Sequence, residues 1–286
     1  MLLGAHESTS GGWHRAFQDG MEDGCEALQI FTKPANQWRE PKIDEKKVEK
    51  WKEFWKESGI SEDAVLSHNS YLINICSPKE PTYSKSIKAM IEELKRCQIL
   101  GIKYLVMHPG SHLGKGEEWG IKRIAKSLDK IFKEVPGKYP MILLETTAGQ
   151  GTNLGYRFEH LAEIINLSNY PERLAVCFDT CHVYAAGYDI KSEKGYEKTF
   201  ERFDKIIGLN LLKAFHINDS KKELGTRIDR HENIGKGVLG VELFKRLIND
   251  PRFETHPGIL ETIPLPDGSR GYKENLDLLK SLRDKK

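Results

Sequence analysis

Nine side chains suited to holding divalent metal stand out in the chain: His68, His108, Glu145, Asp179, His182, His216, Asp229, His231 and Glu261. Imidazole nitrogen and carboxylate oxygen, with few thiols, are the donors that hydrolytic zinc or manganese centres use. A catalytic zinc ion takes about three or four protein ligands and keeps one position open, so nine donors point to a cluster. A cluster needs bridging groups. A carboxylate has two oxygens and can bridge, whereas an imidazole offers one lone pair; Glu145, central in the order of the chain, is the natural bridge. A lone histidine is more often a satisfied core or surface residue. The close spacing of Asp179 with His182 and of Asp229 with His231 favours ligation instead. Several cations held together suit phosphate ester hydrolysis: they acidify water, neutralise nonbridging oxygens and stabilise the leaving alkoxide.

Six of these residues sit where strands end. Eight apolar runs recur roughly every 35 to 40 residues, a spacing typical of β/α units. They are LLGAH (to His6), ALQIFT (to Thr32), VLSH (to His68), YLVMH (to His108), MILLE (to Glu145), LAVCFD (to Asp179), KAFH (to His216) and GILE (to Glu261). Seven of the eight close on His, Asp or Glu, although these types fill only 52 of 286 positions. In a β/α barrel all eight carboxyl ends converge on one face, so the seven groups would meet in one pocket.

Between the runs lie helical patterns with apolar residues at three- and four-residue steps. They cover 43–58, 84–100 and 121–135, with further stretches near 14–25, 157–167, 195–207, 241–248 and 274–282. Strict alternation from end to end indicates an α/β protein, a single (β/α)8 TIM barrel over residues 1–286. The turn after the first run, GAHESTSGG, is not the G-x-G-x-x-G of an open nucleotide-binding sheet. Two segments read as rich loops at the carboxyl face: TCHVYAAGYDI after Asp179 and INDSKKELGTRIDRHENIGKG after His216.

With 44 basic and 42 acidic residues the net charge is +2, so no global field advertises a nucleic acid, and only a local basic groove could. The five cysteines (25, 76, 97, 177 and 181) form no C-x-x-C pair, which argues against a disulfide framework. Cys177 lies inside an apolar run and reads as a small buried hydrophobe. No apolar run approaches the roughly 20 residues that span a bilayer, and the first strand begins at Leu2, so a cytoplasmic protein is expected.

Longer motifs are more specific. FDTCHVYAAGYD (178–189) and HINDSKKELGTRIDRHENIGKG (216–237) resemble the signature segments of the endonuclease IV family. LLGAHESTSGG, QIFTKPANQW, SHNSYLINI, VMHPGSH, LLETTAGQG and ILETIP follow its order over essentially the whole chain. The resemblance implies a barrel with three zinc ions, manganese being an alternative at one position. It further implies double-stranded DNA containing abasic sites as partner, no membrane, and a monomer. Cleavage on the 5′ side of the lesion would leave a 3′-hydroxyl and a 5′-deoxyribose phosphate.

Carried over by motif, His68, His108 and Glu145 would hold one ion; Glu145 would bridge to a second held with Asp179, His216 and Glu261; His182, Asp229 and His231 would hold the third. Glu145, Glu261, His68 and His108 would be the catalytic core. For DNA, the segment Lys33-Pro34-Ala35-Asn36-Gln37-Trp38 resembles the family's first binding loop, with Lys33, Asn36, Gln37 and Trp38 as contacts and Asn36 where some relatives present arginine. Tyr71 and Leu72 resemble its wedge into the base stack, and Arg230, between Asp229 and His231, reads either as a phosphate contact or as a solvated surface charge. Glu7 departs from the apolar residue expected after GAH.

Two rivals share features of this pattern. A sugar isomerase or epimerase of xylose isomerase type would use Glu145, Asp179, His216 and Glu261 alone and leave the other five donors without a task. A noncatalytic binder of damaged DNA would use closed structural metal sites, which are usually richer in thiolate.

Overall fold

The computed structural model describes residues 1–38 and 41–284. Eight parallel strands close into a barrel: β1 (Leu2–Glu7), β2 (Ala27–Ile30), β3 (Val65–His68), β4 (Tyr104–Met107), β5 (Met141–Glu145), β6 (Leu174–Asp179), β7 (Leu212–His216) and β10 (Pro257–Leu260). Around the barrel each strand pairs with its sequence neighbour, and β10 closes the ring between β7 and β1. Two short strands, β8 (Asp219–Ser220) and β9 (His231–Glu232), form an antiparallel pair outside it.

The strands read as continuous apolar runs because helices cover the sheet outside and side chains fill it inside. The helices are α1 (Trp13–Asp23), α2 (Glu45–Ser58), α3 (Glu80–Leu100), α4 (Glu117–Glu134), α5 (Phe158–Leu167), α6 (Thr180–Ala186), α7 (Glu193–Ile206), α8 (Val241–Asn249) and α9 (Tyr272–Ser281). Their buried stripes follow the helical period, as in Ile121, Ile124, Leu128 and Ile131 of α4. Between β6, β7 and α7 the packing is aromatic, with the Phe178 and Phe200 rings 5.0 Å apart. The (β/α)8 barrel expected from the sequence is the fold.

Two local differences from expectation have physical causes. Helix α3 starts at Glu80, four residues earlier than its apolar pattern, with Pro81 in the first turn, where a missing N–H costs nothing. TCHVYAAGYDI is not a loop throughout: its first seven residues form α6. Asp179 caps that helix, its Oδ1 accepting from the His182 amide at 2.8 Å, and Gly187 ends it at φ 107. Seven residues are too few for a helical period to show in the sequence. The helix turns His182 back towards Asp179.

A register shift between Val176 and Cys177 breaks the β6–β7 ladder, after which Asp179 lies opposite His216. A bulge of this kind re-aims side chains at a barrel rim. Here it brings two candidate ligands level.

Candidate metal centre

All nine predicted ligands meet at the carboxyl end of the barrel, in three groups whose donor atoms lie within 4.8 Å of one another. His68, His108 and Glu145 form one; Glu145, Asp179, His216 and Glu261 form the second; His182, Asp229 and His231 form the third. Glu145 belongs to two. It is fully buried at the end of β5, and its oxygens face opposite ways. Oε2 lies 3.2 Å from Nε2 of both His68 and His108, while Oε1 lies 3.0 Å from His216 Nδ1 and 3.2 Å from His182 Nδ1. That is the geometry a bridging carboxylate needs.

The third group depends on the long segment after β7. The β8–β9 pair sets Ser220 opposite His231 and carries Asp229 and His231 over the barrel mouth. His182 Nε2 then lies 3.1 Å from Asp229 Oδ2, and His231 Nε2 3.4 Å from Asp229 Oδ1.

Electrostatics show what these groups demand. Burial would raise the Glu145 pKa, yet His216 and His108 outweigh it and hold the carboxyl well below its usual range. Burial would lower His216 and His182. Cys177, Glu261 and Glu145 outweigh it at His216, and Asp179 and Asp229 at His182, so both imidazoles are raised well above the ordinary value. Asp229 falls to about 2: burial opposes the shift, and His182 and His231 drive it. Four carboxylates sharing a buried site require positive charge. A divalent ion supplies it and leaves the imidazoles neutral as ligands. The donors therefore fit hydrolytic metal ions.

Cys181 also lies near Asp179 and His231. Burial pushes its thiol up to about 12, and Sγ lies 3.6 Å from the Arg230 carbonyl, which leaves oxygen and nitrogen as the fitting donors. All five cysteines are free, and Cys177 is fully buried within β6.

Partners that sequence reading missed orient the ligands. His68 Nδ1 lies 2.8 Å from the Asn69 carbonyl, His182 Nδ1 2.9 Å from that of Thr146, and His231 Nδ1 3.0 Å from that of Glu261. A carbonyl only accepts, so these Nδ1 atoms carry the proton and each Nε2 keeps its lone pair for a metal. Asn218 donates to Asp179 Oδ2 at 2.8 Å and accepts from the Glu261 amide at 2.8 Å. Gln29 reaches both His216 and Glu261, and His6 Nδ1 lies 3.0 Å from Glu261 Oε1. The only sequence signal for Gln29 is a polar residue inside an apolar strand.

A cavity of about 900 Å³ opens from the metal groups towards the segments after β1 and β2, lined among others by Lys33, Lys42, Lys47, Tyr71 and Arg270. Tyr71 is 71% exposed at its mouth, with Phe31 packed edge-on against its ring at 5.3 Å. It stands in a turn nine residues ahead of α3, with Leu72 half-buried beside it. Asn36, Gln37 and Trp38 are exposed. Lys33 is buried, its charge acting on the buried Glu93 carboxylate. Arg230 is exposed beside a second cavity, opened on the far side of His108 and His182 and lined also by Gln150 and Asn153. Glu7, fully buried, pairs with Arg270 across the first cavity.

Known proteins share this architecture. A family model described as a xylose isomerase-like TIM barrel matches residues 17–282. A probable endonuclease 4 of Geobacter sp. (strain M21) is 49% identical over 281 residues, covering 98% of each chain. One from Chloroflexus aurantiacus is 48% identical over 280 residues, covering 98% of this chain and 97% of that one. The crystal structure of endonuclease IV from Thermus thermophilus superposes with a TM-score of 0.86 at 31% identity, covering 99% of this chain and 98% of the other. The chain belongs to the endonuclease IV family of xylose isomerase-like TIM barrels.

Proposed function

We propose that the protein is a zinc-dependent DNA repair endonuclease. It hydrolyses the phosphodiester 5′ to abasic sites in double-stranded DNA, leaving a 3′-hydroxyl and a 5′-deoxyribose phosphate, the incision that base excision repair requires. The observation that carries this reading is the meeting of three donor groups at one end of the barrel, two of them sharing Glu145. A proton-transferring isomerase has use for the second group alone, whereas three adjacent groups suit the distributed charge of a phosphodiester in reaction.

His68, His108 and Glu145 would hold one ion, Glu145, Asp179, His216 and Glu261 a second, and His182, Asp229 and His231 a third. Bound there, zinc would acidify water and neutralise charge on the phosphate and the leaving oxygen. The rest falls to the chain itself. Tyr71, exposed beside the site with Leu72 adjoining, is placed to wedge into the base stack and hold the damaged nucleotide out. Lys42 and Lys47 on one side and Arg230 on the other give the backbone positive partners. Asn36, Gln37 and Trp38 extend that surface, and Lys33, buried beneath it, supports the segment that carries them.

The test is a labelled duplex with one tetrahydrofuran abasic analogue, given native and zinc-stripped enzyme. The analogue cannot undergo β-elimination, so a nick on its 5′ side with a 3′-hydroxyl requires hydrolysis. Zinc-dependent nicking there is expected. No nicking by fully metallated protein would overturn the proposal in favour of sugar isomerisation.

A further inference from the structure

We infer that Gln29 is a positioning residue that fixes the tautomer of His216 and the orientation of Glu261, and thereby sets the affinity of the metal position built from Glu145, Asp179, His216 and Glu261. The inference rests on the metal reading proposed above and concerns a residue outside the nine donors.

Gln29 is fully buried in β2, among Ala27, Leu28 and Ile30. A buried primary amide is costly unless its donors and acceptor are matched. Here the partners all belong to the site. Nε2 lies 2.7 Å from Glu261 Oε1 and 2.9 Å from His6 Nδ1, and Oε1 lies 2.9 Å from His216 Nε2. Chemistry decides which end faces which neighbour. An ionised carboxylate only accepts, so the amide nitrogen must face Glu261 and donate to it. The amide oxygen then faces His216, and His216 Nε2 must carry the proton.

That choice leaves the lone pair on His216 Nδ1. This atom lies 3.0 Å from Glu145 Oε1 and 3.2 Å from Glu261 Oε2, among the donors of the same group. One amide from β2 therefore aligns two ligands of one ion, the imidazole at the end of β7 and the carboxylate that follows β10. With its Nδ1 protonated, His6 donates to Glu261 Oε1 and completes the brace, so its 2.9 Å approach to Gln29 Nε2 is a contact of two donors rather than a hydrogen bond. His68, His182 and His231 obtain their tautomers from backbone carbonyls, which no substitution removes. His216 depends on a side chain. Outer partners of metal-ligating histidines set ring orientation and basicity, and losing one weakens metal affinity by about 10- to 100-fold.

The test uses the full chain reconstituted with zinc. Zinc content is followed through a stepwise chelator titration in wild type, Gln29→Met and Gln29→Glu. The Met variant removes donor and acceptor at nearly constant volume. The Glu variant keeps an acceptor for His216 but turns the face towards Glu261 from attraction to repulsion. Each is expected to lose one zinc at about 10- to 100-fold weaker chelation than wild type, with the other two held as before. Cleavage of abasic duplex should show a lower kcat, an unchanged KM and recovery in excess zinc, which a merely structural lesion would not do. Retention of all zinc at wild-type chelator levels in both variants, or parallel loss of every ion, would overturn the inference and leave the metal reading standing. Wild-type protein that binds no zinc would overturn both.

Discussion

The carboxylate of Asp219 fills the space that a side chain on Gly237 would need: a Cβ there would fall 2.4 Å from Oδ1. Asp219 is fully buried and gathers the long segment after β7 around itself. Oδ1 accepts from the Ser220 and Leu239 amides at 2.7 and 3.0 Å, and Oδ2 from those of Gly235 and Gly237, both at 3.0 Å. That segment carries Asp229 and His231. Asp219→Ala leaves the amides unmatched, at about 1–3 kcal/mol for each one kept from water. The expected result is selective loss of the ion assigned to His182, Asp229 and His231, together with new proteolytic cleavage between 221 and 239. An unchanged zinc content and digestion pattern would show that the segment holds its shape without Asp219.

The barrel is legible in the chain because its strands are apolar on both faces and, β2 excepted, run out into ionisable residues. Six of the nine donors are legible for the same reason, since strand ends converge whatever the details of packing; His182, Asp229 and His231 show instead as close-spaced pairs in the segments that follow β6 and β7. Three things are not. Helix α6 is too short to have a period, and its cap, Asp179, reads in sequence as a ligand alone. Gln29 acts through a partner 187 residues away, His216, and Asp219 through amides 16 to 20 residues on, and spacing carries no trace of either. Lys33 opens an exposed-looking motif, yet it is buried, where its charge lowers the pKa of the buried Glu93 carboxylate.

Acid sensitivity should show at Asp250. Burial would raise its pKa, but Arg252 and the Tyr196 hydroxyl outweigh burial and hold the carboxyl below its usual value. Tyr196 Oη donates to Oδ2 at 2.8 Å, and Arg252 Nε to Oδ1 at 2.9 Å. A depressed folded pKa means that the unfolded chain binds the proton more tightly. The contribution is therefore present above the unfolded value, near pH 4, and is lost as pH falls through the folded one. Asp250→Asn is expected to cost about 1–3 kcal/mol at neutral pH and progressively less in acid. Urea unfolding of both proteins across that range checks it, and a pH-independent gap would contradict it.

Glu145 is the substitution with the widest consequence. Glu145→Gln keeps the shape but gives up the charge and one acceptor oxygen between His68 and His108 on one side and His216 on the other. Cleavage should fall by at least about 10²-fold, with two ions weakened together, because a shared ligand is lost rather than a peripheral one. Near-wild-type turnover in metal-replete protein would remove Glu145 from the bridging role.

Arg230 tests the path of the backbone. Its side chain is exposed, and Nη1 bonds back to the adjacent Asp229 carbonyl at 2.6 Å, a local tie whose removal should leave folding intact. Arg230→Ala is expected to weaken binding of duplexes of any sequence. It should also make the log–log salt dependence shallower, by about 0.9 for each phosphate that goes unneutralised. An unchanged slope would place Arg230 outside the DNA footprint.

Tyr71, as the proposed wedge, is expected to separate recognition of the lesion from general affinity for DNA. A side chain 71% exposed beside the candidate metal centre contributes little to the core, so Tyr71→Ala should melt within about a degree or two of wild type. Phe31 braces the ring from one edge, which keeps it standing at the mouth rather than folded onto the surface. Stacking of an aromatic ring on a base is worth about 1–3 kcal/mol, and that is the loss expected for abasic duplex. Undamaged duplex, whose bases stay stacked, should bind nearly as before. Fluorescence anisotropy with matched intact and abasic duplexes reads the difference directly. Equal loss on both substrates would make Tyr71 an ordinary backbone contact, and no loss on either would return the wedge to some other residue at the cavity mouth.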